Sequence, residues 1–86
     1  MNKEKEDLIS KKMLILGKNV KFYREKIGMS IENLAQSADM SQKFLKRLEE
    51  GQVVRLTLTK LLKIMEILQI TSEEIFFNMW LGIVVG

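Results

Sequence analysis

The stretch SIENLAQSADMSQKFLKRLEEG, Ser30 to Gly51, decides how this chain is read. Ile31, Leu34, Ala35 and Ala38 share one face at helical spacing, and Leu45 and Leu48 resume the pattern further on. Between them lies Ser37-Ala38-Asp39-Met40-Ser41, too short to be anything but a turn. The second segment puts Gln42, Lys43, Lys46 and Arg47 on the side that Leu45 and Leu48 do not use. Two helices packed across a turn, the second presenting amide and cationic side chains, suit a DNA major groove.

Working outward, Ile9, Met13, Leu16, Val20, Tyr23 and Ile27 recur at steps of three and four, which predicts an amphipathic first helix ending at Gly28. Gly17 lies inside that helix, where glycine costs about 1 kcal/mol relative to alanine. Ser30 and Ser41 are suitable N-caps for the second and third helices, and Gly51 follows the last turn of the third. A fourth helix is predicted from about Leu58 to Leu68, with Leu58, Leu61, Leu62, Met65 and Leu68 on one face. Thr71-Ser72-Glu73-Glu74 has the form of a capping box, so a fifth helix should begin near Ser72 and carry Ile75, Phe76 and Met79. The expected class is all-α, a compact five-helix domain. It divides into a charged extension at 1–12, the helical domain at 13–76 and an apolar tail at 77–86.

The composition narrows the chemistry. The chain has 86 residues, 47% hydrophobic and 29% charged, as expected of one soluble globular domain. The net charge is only +3, but Gln42 to Lys63 holds six cations (Lys43, Lys46, Arg47, Arg55, Lys60, Lys63) against Glu49 and Glu50. A polyanion would meet that local excess. There is no cysteine and no histidine, which excludes thiol nucleophiles, imidazole bases, disulfides and the usual zinc sites. No metal, cofactor or enzymatic activity is expected. The charged start MNKEKEDLISKK has no apolar middle for a secretory signal, and no run reaches the roughly 20 apolar residues of a membrane span. A soluble, cytoplasmic protein is expected.

With these residues in place, the chain resembles the phage repressor and Cro type of helix-turn-helix domain, the XRE family with its lambda-repressor-like fold. The resemblance covers roughly residues 16–76. It rests on Gly17, the run Arg24 to Ser30, Asn33-Leu34-Ala35, Met40-Ser41, Leu45 to Gly51, Leu61 to Ile64 and Glu73 to Phe76. Members are compact five-helix domains that bind operator DNA, usually as dimers, so the resemblance implies a DNA-binding regulator, most readily a repressor. This chain departs from the pattern at three points. Ile31 stands where a glutamine usually contacts the DNA backbone, Asp39 where the turn commonly holds glycine, and Leu56 where the following loop often holds proline.

On this reading Gln42 and Lys43, in the first turn of the third helix, reach deepest into the groove, with Lys46 one turn on. Glutamine pairs with adenine in bidentate fashion, and lysine donates to guanine N7 and O6. Backbone contacts are expected from Arg47, Arg24, Lys26, Asn33 and Ser41; an ion pair with Glu50 is the alternative for Arg47. Phe44 either completes the core or meets a thymine methyl. Lys60 and Lys63 belong to a solvated face.

The tail, Ile75 to Gly86, is too apolar to be buried entirely on its own domain. Phe77, Trp80, Leu81, Ile83, Val84 and Val85 would leave an exposed apolar patch, which usually marks an interface. A homodimer contact is expected there, placing two recognition helices about one DNA turn, roughly 34 Å, apart on a palindromic site. The alternatives are a tail folded into the core and the start of a further domain. The rival function is a protein-interaction module on the same fold, an antitoxin or anti-repressor gripping a protein partner through this tail.

Overall fold

The computed structural model describes residues 3–53 and 55–79, with side chains from residue 8 onward. They form five helices: α1 (Lys3–Lys26), α2 (Ile31–Ser37), α3 (Gln42–Glu49), α4 (Leu58–Leu68) and α5 (Ser72–Ile75). No strand occurs among the described residues. The all-α expectation holds.

Four helices start on a hydroxyl. Ser30 and Ser41 each accept from the backbone N–H three residues on, at 3.0 Å, and Thr57 and Thr71 do the same at 3.2 Å. At Thr71 the box is complete, because Glu74 Oε1 accepts from the Thr71 backbone N–H at 2.9 Å. The ends of α1 to α4 close alike, each on a residue with a left-handed backbone: Gly28, Asp39, Gly51 and Gln69, with φ of 71°, 55°, 77° and 56°. At each end the next residue donates back across the last turn, as in Met29 N–H to Arg24 O and Met40 N–H to Ala35 O. These bonds satisfy carbonyls that the helix ends would otherwise leave bare.

Asp39 therefore does take the conformation for which the turn commonly uses glycine. Asp is among the few residues besides glycine that visit this region at modest cost. Asp39→Gly is expected to change stability by less than about 1 kcal/mol, whereas the β-branched Asp39→Val should cost about 1–2 kcal/mol. Urea denaturation of the two variants would check the order.

The core gathers Leu16 and Val20 of α1, Leu34 and Ala35 of α2, Leu45 and Leu48 of α3, Leu61, Ile64 and Leu68 of α4, then Ile75 and Met79. Ile31 and Leu56, two of the departures noted in the sequence, pack half-buried against this cluster. Hence the residue in the glutamine position serves packing.

Four expectations need correction. α1 starts at Lys3, so most of the charged segment 1–12 continues the helix. Ile9 and Ile27, placed on its buried face, are 50% and 52% exposed, because the core touches only the middle of this long helix. On α4, Leu58 and Leu62 face outward and Ile64 is fully buried. The apolar set spans more of that helix than one contact surface covers, and packing chose the arc of Leu61, Ile64 and Leu68. Finally, α5 stops after one turn at Ile75, and Met79 reaches the core from the turn beyond, past a left-handed Asn78.

Candidate nucleic-acid interface

The outer face of α3 is defined by what its inner face buries. Leu45 and Leu48 have no exposed surface and Glu49 is 7% exposed. That leaves Gln42, Lys43, Lys46, Arg47 and Glu50 exposed to solvent. Gln42 opens the helix directly after the Ser41 cap. Arg47 makes no ion pair with Glu50 within 4 Å, so its guanidinium is available to a phosphate. Phe44 is half-buried outside the core cluster, and the Lys60 ammonium sits 4.3 Å from its ring centre. This cation–π contact ties α3 to the start of α4. Phe44 is thus not part of the core, and Lys60 leaves the purely solvated face.

Glu49 lies four residues after Leu45, on the buried side, and its partner is Arg24. The guanidinium donates from Nε to Glu49 Oε2 at 2.7 Å and from Nη2 to Oε1 at 2.9 Å. Its Nη1 donates to the Met29 carbonyl at 2.8 Å. The hydrogen bond to Glu49 raises the Arg24 pKa above its ordinary value; burial opposes this, and the Glu49 and Glu25 charges assist. Arg24 was expected at a phosphate. That role does not fit a side chain 7% exposed whose fork is already engaged. It acts instead as a brace between the end of α1 and the end of α3.

A second brace is steric. A Cβ built on Gly17 would run into the Leu48 carbonyl oxygen and lie 2.9 Å from that of Glu49. Only glycine lets α1 approach the last turn of α3 this closely. The sequence marked Gly17 without revealing its neighbour.

The other expected backbone contacts lie on separate elements. Lys26 is exposed at the end of α1, its ammonium 5.8 Å from the Tyr23 ring centre. Asn33 is exposed in the first turn of α2, and Ser41 is exposed while capping α3. Phe77 is 60% exposed and, with Phe22 at 58%, flanks an open cleft of about 480 Å³ also lined by Lys18, Asn19, Tyr23 and Asn78. The other expected interface residues, Trp80, Leu81, Ile83, Val84 and Val85, lie outside the described residues.

Among the described residues, no helix is long and apolar enough to cross a membrane, and no His, Cys, Asp or Glu cluster could hold a metal. No curated protein matches the chain. Among solved structures it is similar to the restriction-modification controller protein C.AhdI from Aeromonas hydrophila, with 26% identity and a TM-score of 0.69. That match covers 74% of this chain and 96% of the controller. The helix-turn-helix family profile matches residues 20–75, from the middle of α1 to the end of α5. With the profile spanning the two-helix unit, its capped turn and the helices that brace it, the chain belongs to the XRE-type helix-turn-helix family of DNA-binding transcription regulators.

Proposed function

We propose that the chain is a repressor that binds a palindromic operator as a homodimer in the cytoplasm, reading bases with Gln42, Lys43 and Lys46. The carrying observation is the exposed arc of α3 on a helix whose opposite face is locked by Leu45, Leu48 and the Arg24–Glu49 pair. A rigid element carrying amide and cationic tips spends little ordering entropy on binding. Arg47, Lys26, Asn33 and the Ser41 hydroxyl contact phosphates and set the register. Phe77 contributes to the dimer contact, supported by its exposure beside Phe22, and Trp80, Leu81, Ile83, Val84 and Val85 complete it. The similar controller protein supports a regulatory role.

Selection from random DNA followed by sequencing tests the reading; a single palindromic site with half-sites about one turn apart is the expected result. On that site, Gln42→Ala and Lys43→Ala should each lose about 1–3 kcal/mol and relax preference at one base pair. Arg47→Ala should weaken all sequences alike. With Lys26 and Arg47 on phosphates in both copies, affinity should fall on the order of 10²-fold between 50 and 200 mM salt. A flat salt response, or no enriched site, would reject α3 as the reading surface.

A further inference from the structure

Away from α3, the side of α1 that carries Ile15, Lys18, Asn19, Phe22 and Tyr23 forms one wall of an open groove. Gly17 and Arg24 mark the stripe of α1 that meets α3. At about 100° per residue the groove side lies roughly opposite that stripe, so DNA held by α3 leaves it accessible.

The other wall is the turn at Phe77 and Asn78, and it is fixed at both ends. Asn19 Nδ2 donates to the carbonyls of Ile75 and Phe77, both at 2.9 Å, and Lys12 Nζ donates to that of Met79 at 3.2 Å. Ile75 and Met79 are buried, and Asn78 between them takes a left-handed φ of 68°. Phe77 is thereby held outward beside the cleft of about 480 Å³ that Phe22 also lines, and the groove continues past Lys18 and Asn78 to Ile15. Small-molecule sites have volumes of roughly 300–1,000 Å³ and are largely formed before the ligand arrives.

The lining selects the ligand chemistry. The Phe22 and Tyr23 rings stand at 90° with centres 5.0 Å apart. In such a corner a planar ring stacks on one face and meets the other edge-on, and Phe77 adds a third aromatic surface. Among the described residues, Lys18 is the only charged side chain lining the groove, and it makes no ion pair. Its polar neighbours there, Asn19, Tyr23 and Asn78, are neutral, so charge complementarity favours an anion.

We propose that this groove binds a small planar aromatic anion, its ring among Phe22, Tyr23 and Phe77 and its negative group on Lys18. The site itself needs neither DNA nor a second copy. Its regulatory consequence rests on the dimer reading: Phe77 belongs to the proposed dimer contact, so a bound anion competes with the second copy and operator affinity falls.

The probe is 2-naphthoate, with 2-naphthamide as its uncharged counterpart, and amide NMR shifts of the full chain report the site. Saturable shifts are expected at Lys18, Phe22, Phe77 and Asn78, with Gln42, Lys43 and Lys46 unmoved. Naphthoate should bind about threefold more tightly than naphthamide, the effect of one exposed ion pair. Lys18→Gln should remove that preference and leave naphthamide affinity unchanged, whereas Phe22→Ala should weaken both compounds about fivefold or more. Both side chains are exposed, so neither change disturbs the core. The absence of saturable shifts in the groove with millimolar probe, or equal affinity for the two compounds, overturns the proposal. So does a Phe22→Ala chain that sediments more slowly than the parent while neither binds naphthoate, because the groove is then an interface between copies. Groove shifts with no change in sedimentation support the site and remove Phe77 from the dimer contact instead.

Discussion

Gly17→Ala is expected to destabilise the domain by about 3 kcal/mol or more, the upper range for forcing an atom into a packed contact. On an exposed helix the same change gains about 1 kcal/mol, so the sign itself is diagnostic. Here the added methyl meets the carbonyl oxygens of Leu48 and Glu49, and neither can turn aside as a side-chain tip would. Relief requires α1 and α3 to separate, which also loosens the surfaces of Leu16, Val20, Leu45 and Leu48. In a domain of this size each kcal/mol moves the melting temperature by roughly 4–8 °C, so a drop of more than about 12 °C is expected. Operator affinity measured well below that melting temperature should also fall, because the last turn of α3 is displaced. A stable, fully active Gly17→Ala protein would mean that the two helices do not meet so closely.

The second large effect concerns Arg24 and Glu49. Glu49→Ala leaves a guanidinium buried without its carboxylate and should cost about 3–5 kcal/mol. Arg24→Met strands the carboxylate and should cost a similar amount. The double replacement Arg24→Met with Glu49→Leu should cost less than either single change, since no charge is then left buried. The resulting coupling is the signature of a direct pair and is read from a double-mutant cycle in urea. pH gives a further expectation. The Arg24 pKa is raised, so its contribution is fully present below the ordinary arginine value and is lost only as pH rises through the higher folded one. Arg24 itself therefore adds no pH dependence to stability between pH 5 and 10. The double variant also separates the brace from a phosphate contact. As a brace, Arg24 can be replaced with the salt slope of DNA binding intact, whereas a lost phosphate contact would reduce that slope by about 1.

Local rules account for much of this architecture. The hydroxyls at Ser30, Ser41 and Thr71, the glycines at 28 and 51 and the 3.6-residue period need only neighbours within one turn, so the helix starts and the capped turn at Asp39 are legible from sequence. The outward placement of Lys43, Lys46 and Arg47 follows as well, because Leu45 and Leu48 leave those positions no other side. Where a helix carried more apolar residues than one contact could cover, as at Leu58, Leu62 and Ile64, periodicity had no means of choosing.

What only the tertiary structure decided are the contacts between residues far apart in the chain. Arg24 and Glu49 are 25 positions apart, and nothing local distinguishes a buried guanidinium from one waiting for a phosphate. An acid four residues after Leu45 was the available hint, since a carboxylate on a buried face must find a partner. Gly17 against the Leu48 carbonyl and Lys60 over Phe44 are of the same kind. The sequence by itself determined where the helices begin and turn and which side of α3 is polar, because backbone capping and amphipathicity are short-range. Tertiary packing decided which cation braces that helix and which stay exposed on its outer face, because burial depends on neighbours that the chain brings together only when folded.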